Sequence, residues 1–241
     1  MTLHISRPAT LSLSIIIPAY NEADNIVATL MPLQEMRKYG REIIIVDGGS
    51  SDDTVLRARN LVDQVLVTTP GRAKQMNAGA MLARGKVLWF LHADTCAPEC
   101  ADRVVLDSLS ENCTWGCFAV RLSGHHLLLR VIARMMNLRS CLTGIATGDQ
   151  GIFMRRDAFD EVGGFSELPL MEDIEISRRL KRIRGRPVCL RVPLVTSSRR
   201  WEENGIVRTI LLMWSLRLAF FLGMEPTRLA RRYSRRKEIQ L

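Results

Sequence analysis

The sequence predicts an α/β fold: a Rossmann-like, mostly parallel sheet with helices on both faces, followed by a C-terminal helical appendage. Three observations carry this. Short apolar runs alternate with helical patterns through the first half of the 241 residues, the order that parallel strands require because each return crosses the sheet in a helix. The runs are apolar throughout, as in Ile43, Ile44, Ile45 and Val46, which suits strands covered on both faces. Hydrophobic residues make up 47% of the chain, enough for a sizeable core and against disorder.

Taken in order, Ser12 to Ile17 reads as a strand and Ala23 to Met36 as a helix, with Ile26, Leu30 and Leu33 on one face. Glu42 to Val46 is the second strand, Asp53 to Asn60 a helix, and Val65 to Val67 the third strand. Arg72 to Ala83 repeats Met76, Ala80 and Ala83 at helical spacing and closes at Gly85; Lys86 to Leu91 is the fourth strand. Beyond it the pattern loosens. Ala101 to Leu109 and Leu127 to Leu138 read as helices, and Trp115 to Leu122, Gly151 to Met154 and Val188 to Val192 as strands. Ile174 to Ile183 is a basic amphipathic helix ended by Gly185. A main domain is expected over residues 1–200 and a tail over 201–241. In the tail, Ile206 to Met224 is apolar but carries Arg208 and Arg217, which disfavours a membrane span; Arg228 to Lys237 sets arginines three and four apart, a cationic stripe if helical.

The net charge of +9 suits an anionic partner, yet an aromatic content of 6% argues against nucleic acid read by stacking. No GxGxxG follows the first strand, which argues against a nicotinamide dehydrogenase. The cysteine pairs Cys96/Cys100 and Cys113/Cys117 share a CxxxC spacing, looser than a zinc knuckle; reduced cysteines packed as small apolar residues are the expectation. Leu11 to Ile17 leads into Pro18 and reads as a strand rather than a secretory signal, so a cytoplasmic protein is expected.

Polar residues gather where the strands end, and open parallel sheets bind ligands beyond the carboxyl ends of their strands. Asp47 closes the second strand, followed by Gly48, Gly49 and a cap-rich turn; its carboxylate suits a ribose hydroxyl or a base N–H, or simply a capped strand-turn-helix. His92 and Asp94 end the fourth strand and, in extended chain, point to one side, where they suit Mg²⁺ or Mn²⁺ bridging a diphosphate. Tyr20 and Glu22 follow Pro18 at the end of the first strand, and Tyr20 can stack on a base.

Together SIIIPAYNEADN, IIIVDGGSSDDT, GRAKQMNAGA, VLWFLHAD, GDQGIFMRRDAFDEVGGF, LMEDIEISRRL and SSRRW resemble a family-two glycosyltransferase of the GT-A fold, over Ser12 to Trp201. The stretches MMNLRSCLTGIATGDQ, RRWEENG and TILLMWSLRLA resemble the narrower arsenosugar-biosynthesis-type subgroup. The resemblance implies inverting transfer of a sugar from a nucleotide-diphosphate donor to a hydroxyl acceptor. Pro18, Ala19, Tyr20, Glu22 and Asp47 would hold the nucleoside, and Arg72 and Lys74 would lie near the base or phosphates. Asp94 matches the last aspartate of the family's DxD motif and would ligate the divalent cation; His92 stands where the first aspartate is expected. Asp173 matches the catalytic base, with Glu172 beside it as the alternative. Asp149 falls in the acceptor-side loop, and Arg200 and Trp201 match an Arg-Trp pair of processive relatives, whose preceding glutamine is Ser197 here. The acceptor is expected to be lipid-linked or membrane-proximal, with the tail peripheral on the inner face of an anionic membrane or pairing two copies. The readings set against this are a nucleotide-sugar binding protein without turnover, for which His92 argues, and a nucleotidyltransferase, which PAYNEADN disfavours by lacking a glycine-rich basic loop.

Overall fold

The computed structural model describes residues 12–238; the side chains of Arg200, Arg232 and residues 234–238 lie outside what is described. Strands β1 (Leu13–Ala19), β2 (Glu42–Asp47), β3 (Gln64–Val67), β4 (Val87–Phe90), β5 (Thr95–Cys96), β6 (Trp115–Leu122), β7 (Phe153–Arg155) and β8 (Val188–Thr196) form one sheet in the order β3-β2-β1-β4-β7-β6-β8-β5. The pairs β3/β2, β2/β1 and β1/β4 are parallel, as the alternation of elements predicts. Beyond β4 the sheet changes character. β7 inserts antiparallel to both β4 and β6, β6 and β8 are parallel across a bulge at Phe118/Ala119, and β5 closes the edge antiparallel to β8.

The central strands are buried on both faces, and their side chains alternate between two cores. Ile15, Ile17, Ile43, Ile45 and Trp89 pack with Ile26, Leu30, Leu33 and Met36 from helices α1 (Ile26–Leu30) and α2 (Leu33–Lys38). Ile16, Ile44, Val46, Leu88 and Phe90 pack on the other face with Ala73, Met76 and Ala80, after helix α3 (Thr54–Ala58), on helix α4 (Arg72–Leu82). Each such side chain contributes about 1.5–3 kcal/mol by leaving water. The expected single helix Ala23 to Met36 is two helices, because Pro32 supplies no N–H to a continuous ladder and stands instead at the N-terminal boundary of α2.

Helix α5 (Ala101–Ser108) precedes β6, and α6 (Leu127–Thr143) follows it, running five residues past the expected end to a C-cap at Gly144. A single 3₁₀ turn at Gly148–Gln150 leads into β7, followed by α7 (Arg156–Glu161), which the sequence pattern did not mark. Helix α8 (Glu172–Arg184) starts two residues earlier than expected, and β8 extends to Thr196. Helices α9 (Arg199–Asn204), α10 (Ile206–Phe221) and α11 (Pro226–Glu238) complete the described residues. Leu216 of α10 and Leu229 of α11 cluster with Met171 and Ile174 at the start of α8, and the Arg178 guanidinium lies over Phe220 at 5.2 Å. Among the described residues no helix is long and apolar enough to cross a membrane, in keeping with the two arginines of the tail. The six cysteines are free, and among the described residues the CxxxC spacing assembles no cluster of three or more metal-binding side chains.

Helix α4 seats closely on the sheet at Gly79, where an added Cβ would lie 2.5 Å from Ile16 Cγ2 and 2.9 Å from Val46 Cγ2. Both neighbours are β-branched strand residues held from the other side, so relief by side-chain movement is small. Gly79→Ala is therefore expected to lower unfolding free energy by about 1–3 kcal/mol, measured by urea denaturation. An unchanged midpoint would mean that α4 can lift off the sheet at no cost.

Candidate active site

The parallel register delivers three polar strand ends to one rim. Ala19 pairs with Asp47 across β1/β2, and Ile16 with Phe90 across β1/β4. Pro18 and Ala19 are buried in β1, while Tyr20 just beyond them is 54% exposed. Gln75, buried on α4, donates from Nε2 to the carbonyls of Ala19 and Val46 at 2.8 Å each and so clamps two strand ends to the helix that carries Arg72 and Lys74. Asp47 is buried and organises its own turn. Its Oδ2 accepts from the N–H of Gly49 and Ser50 at 2.9 and 2.8 Å, and its Oδ1 from the Ser50 hydroxyl. Three donors leave one of the carboxylate's four acceptor sites, on Oδ1, for anything else. Glu22 accepts from Asn25 Nδ2 at 2.6 Å and lies 3.7 Å from Arg199, the first arginine of SSRRW.

At the end of β4 the chain is not extended. Thr95 N–H donates to the His92 carbonyl at 3.2 Å, so His92 to Thr95 is a turn, and the expectation that His92 and Asp94 share one side of a strand is corrected. His92 turns toward Asp149 instead, with Nδ1 3.2 Å from Oδ1. With the proton on Nδ1 the lone pair stays on Nε2, which is buried, has no hydrogen-bond partner among the described residues and belongs to a side chain that lines a cleft. Gly148 faces it so closely that a Cβ would lie 2.5 Å from Nε2. Asp94 is half-buried; its Oδ1 receives a long bond from the Thr95 hydroxyl at 3.4 Å, and its carbonyl accepts from Ser197 N–H at 3.1 Å. An orphaned nitrogen at the cleft and an under-used hard oxygen on the same turn fit a divalent cation completed by phosphate oxygens, since Mg²⁺ and Mn²⁺ need one or two protein ligands when a diphosphate supplies the rest.

The cleft, about 250 Å³ with its open mouth included, is lined by Arg72, His92, Gly148, Phe165, Glu172 and Asp173 among others. Asp173 stands in the first turn of α8. It accepts from Gly148 N–H at 2.9 Å and Ile174 N–H at 2.8 Å. Burial, and then the charge of buried Glu172 beside it, raise its carboxyl to about 6; the two N–H groups and Arg72 pull the other way. Arg72, about half exposed, lies 3.5 Å from Glu172. Burial works against its charge, but Glu172, Asp149 and Asp173 outweigh it and hold Arg72 above the ordinary arginine value. Arg139 on α6 is a second cation facing Asp173 and Asp149; burial lowers it, those carboxylates raise it, and burial prevails. Its Nη2 donates to the hydroxyls of Ser140 and Thr147 at 3.3 and 3.4 Å, which no spacing in the sequence announced.

Other expected site residues stand apart from the cleft lining. Lys74 lies 3.9 Å from Glu167 and is half exposed. Trp201 packs with Leu122, Leu129 and Ile132 under α6 and α10. Arg200 precedes it on α9, its side chain outside the described residues. Gln150, next to Asp149, is a buried structural hub: its Oε1 accepts from Ser140 Oγ at 2.6 Å and from Thr147 N–H at 3.2 Å, and its Nε2 donates to the Phe118 carbonyl at 3.3 Å.

The model of glycosyl transferase family 2 matches residues 14–163, from β1 to just beyond α7. A PGL/p-HBAD biosynthesis glycosyltransferase of Mycobacterium bovis is 31% identical over 172 residues, 64% of this chain and 62% of the relative. An uncharacterized glycosyltransferase of Haemophilus influenzae is 33% identical over 97 residues, 39% of this chain and 33% of that one. The chain thus spans between 33% and 62% of the length of these curated relatives. Among solved structures, a mannosyltransferase from Pyrobaculum calidifontis in complex with GDP-Man and Mn²⁺ shares the fold with a TM-score of 0.65 at 18% identity, covering 87% of this chain and 61% of that one.

The raised carboxyl of Asp173 makes a prediction about stability. Its folded value, about 6, lies above the ordinary 3.8, so the folded chain holds this proton more tightly than the unfolded chain does. The associated stability is fully present below about pH 4 and is lost as the pH rises through about 6. Asp173→Asn removes that titration. Thermal midpoints of the variant are expected to exceed those of the parent above pH 6 and to converge with them below pH 4; a gap independent of pH would contradict the assignment.

Proposed function

The chain belongs to glycosyl transferase family 2, and from that premise we propose that it moves a sugar from a nucleotide-diphosphate donor to a hydroxyl acceptor with inversion at the anomeric carbon. The observation that carries the proposal is Asp173: a carboxylate at the cleft, oriented by Gly148 N–H and raised toward neutrality, where a general base is most effective. In this reading Asp173 takes the proton of the acceptor hydroxyl as that oxygen attacks the face opposite the leaving diphosphate, and the charge of Glu172 keeps the proton affinity of Asp173 high. Asp149, through His92, positions the wall on which the acceptor lies. Pro18, Ala19, Tyr20, Glu22 and Asp47 form the nucleoside side; Arg72, Lys74 and the first turn of α4 face the diphosphate. Asp94, with His92 Nε2, would hold the divalent cation, which when bound supplies Lewis-acid stabilisation to the departing diphosphate. Arg200 and Trp201 are assigned to the acceptor side by motif, Trp201 through its packing under α10. The arsenosugar-type affinity stands on the sequence motifs alone.

The acceptor is lipid-linked in this proposal, and the surface beside the cleft supports that choice. On α10, Val207, Leu211, Trp214, Leu218 and Phe221 recur at spacings of four and three, each at least 59% exposed. On α6, Leu128, Val131, Met135, Leu138 and Leu142 form a second exposed stripe. The two helices hold Arg130, Arg134, Arg139, Arg208 and Arg217 and no acidic residue. A second copy would bring like charges together across such a face, whereas binding to an anionic leaflet gains about 1 kcal/mol per cation near its surface.

Two experiments test these assignments. Nucleotide release should require donor sugar and Mn²⁺ or Mg²⁺, stop with chelator, and fall about 10²–10⁴-fold in Asp173→Asn. Donor-induced thermal stabilisation should survive that substitution, and the acid limb of kcat/KM near pH 6 should vanish with it. Retained turnover in the variant would remove Asp173 from the chemistry. In flotation, the parent should rise with phosphatidylglycerol vesicles at low salt, not with neutral vesicles, and Leu211→Glu/Trp214→Glu should stay below. Equal recovery of parent and variant would refute the lipid surface, and concentration-dependent dimerisation lost in the variant would assign the face to a second copy.

A further inference from the structure

The C-terminal helices reach the acidic wall of the cleft from behind. Leu216 of α10 and Leu229 of α11, both fully buried, form one cluster with Met171 and Ile174. Those two residues flank Glu172 and Asp173 in the chain, so the tail grips the start of α8 on either side of the paired carboxylates. Met171 has a φ of 69°, a left-handed backbone that a residue with a side chain keeps only where its surroundings impose it. Its carbonyl accepts from Glu175 N–H at 3.0 Å, and the Asp173 carboxylate accepts from Gly148 N–H and Ile174 N–H at 2.9 and 2.8 Å. Farther along α8, the Arg178 guanidinium lies over the rings of Phe220 and Phe221 at 5.2 and 5.5 Å, a second tie between α8 and α10. Neither leucine is among the residues that line the cleft, yet both pack on the neighbours of the one that carries its carboxylate.

We propose that Leu216 and Leu229 are positioning residues for Asp173, so that α10 and α11 belong to the machinery of sugar transfer rather than being an appendage to it. The inference rests on the reading of Asp173 as the general base. The apolar cluster acts in two ways. It fixes the first turn of α8, which aims the carboxylate at Gly148 N–H, and it keeps water from the α8 side of the carboxylate pair. Burial is the largest cause of the raised Asp173 carboxyl, and Met171 and Ile174 are its immediate neighbours in the chain. The charged groups around Asp173 are Glu172 beside it, Arg72 of α4, Arg139 of α6, and the His92–Asp149 pair at the cleft. Tyr233 of α11 joins the same cluster and acts on Arg72. Substitution of either leucine leaves all of these groups in the chain and changes only the apolar cover.

Thermal midpoints across pH read the effect without any substrate. In the parent, the gap opened by Asp173→Asn should grow from about pH 4 to about pH 6. In a Leu216→Ala/Leu229→Ala background water gains access, and the folded carboxyl falls back toward its ordinary value. The gap should then stop growing at a lower pH and reach a smaller total. Leu229→Ala alone gives the same readout where the double variant does not fold. Leu216→Met, which conserves volume, should keep the parent's span. Val105→Ala, in the core on the other face of the sheet, should lower every midpoint and leave the span where it was. A gap with the parent's span and total in the leucine-to-alanine variants, or a span shifted equally by Val105→Ala, would overturn the proposal. Turnover retained in Asp173→Asn would instead remove the general base and leave this coupling measurable, so the two failures are distinct.

Discussion

The register of the parallel ladder β2–β1–β4 is the constraint on which the rest depends. Side chains alternate between two separate cores, so a slip of one residue would exchange Ile15, Ile17, Ile43 and Ile45 with Ile16, Ile44 and Val46 and disrupt both cores. The far end of the ladder is pinned as well. The buried carboxylate of Glu42 accepts from Ser14 Oγ, from Arg84 N–H and Nε at 2.8 Å each, and from Gln64 Nε2 at 2.9 Å; burial opposes its charge, but these donors hold it below the ordinary glutamate value. With register held from both ends, the residues after each strand arrive at one rim by necessity.

The opposite wall of the cleft has a different origin. It comes from the connection between α6 and β7 and from the first turn of α8, joined where Gly148 N–H meets Asp173 and where Asp149 meets His92. Three carboxylates and two arginines share this region, so no charge there is set by one neighbour alone. The carboxyl of Asp173, raised to about 6, is thereby kept close to the point where it can both take up and release a proton.

The strands were legible because they are written locally: apolar runs give the buried ladder, and a carboxylate such as Asp47 marks where the run ends. Asp47 closes β2, Asp94 lies in the turn after β4, and Asp173 stands in the first turn of α8. What escaped was what depends on distant partners. The break at Pro32 was readable in principle, since proline interrupts a helix, but the apolar spacing of Ile26, Leu30 and Leu33 continues across it. The insertion of β7 between β4 and β6 follows no order along the chain. The pairing of His92 with Asp149 and the cation Arg139 behind Asp173 join segments whose spacing carries no period.

The contact at Gly79 sets the two walls of the cleft apart in stiffness. A helix pressed onto its sheet without an intervening side chain has no slack to tilt, so the end of α4 that carries Arg72 is a fixed reference. The other wall, the 3₁₀ turn and the start of α8, is joined by the hydrogen bond from Gly148 to Asp173 rather than by interlocked methyl groups. Any change in the shape of the cleft then falls to that turn, while the helix seat stays as it is.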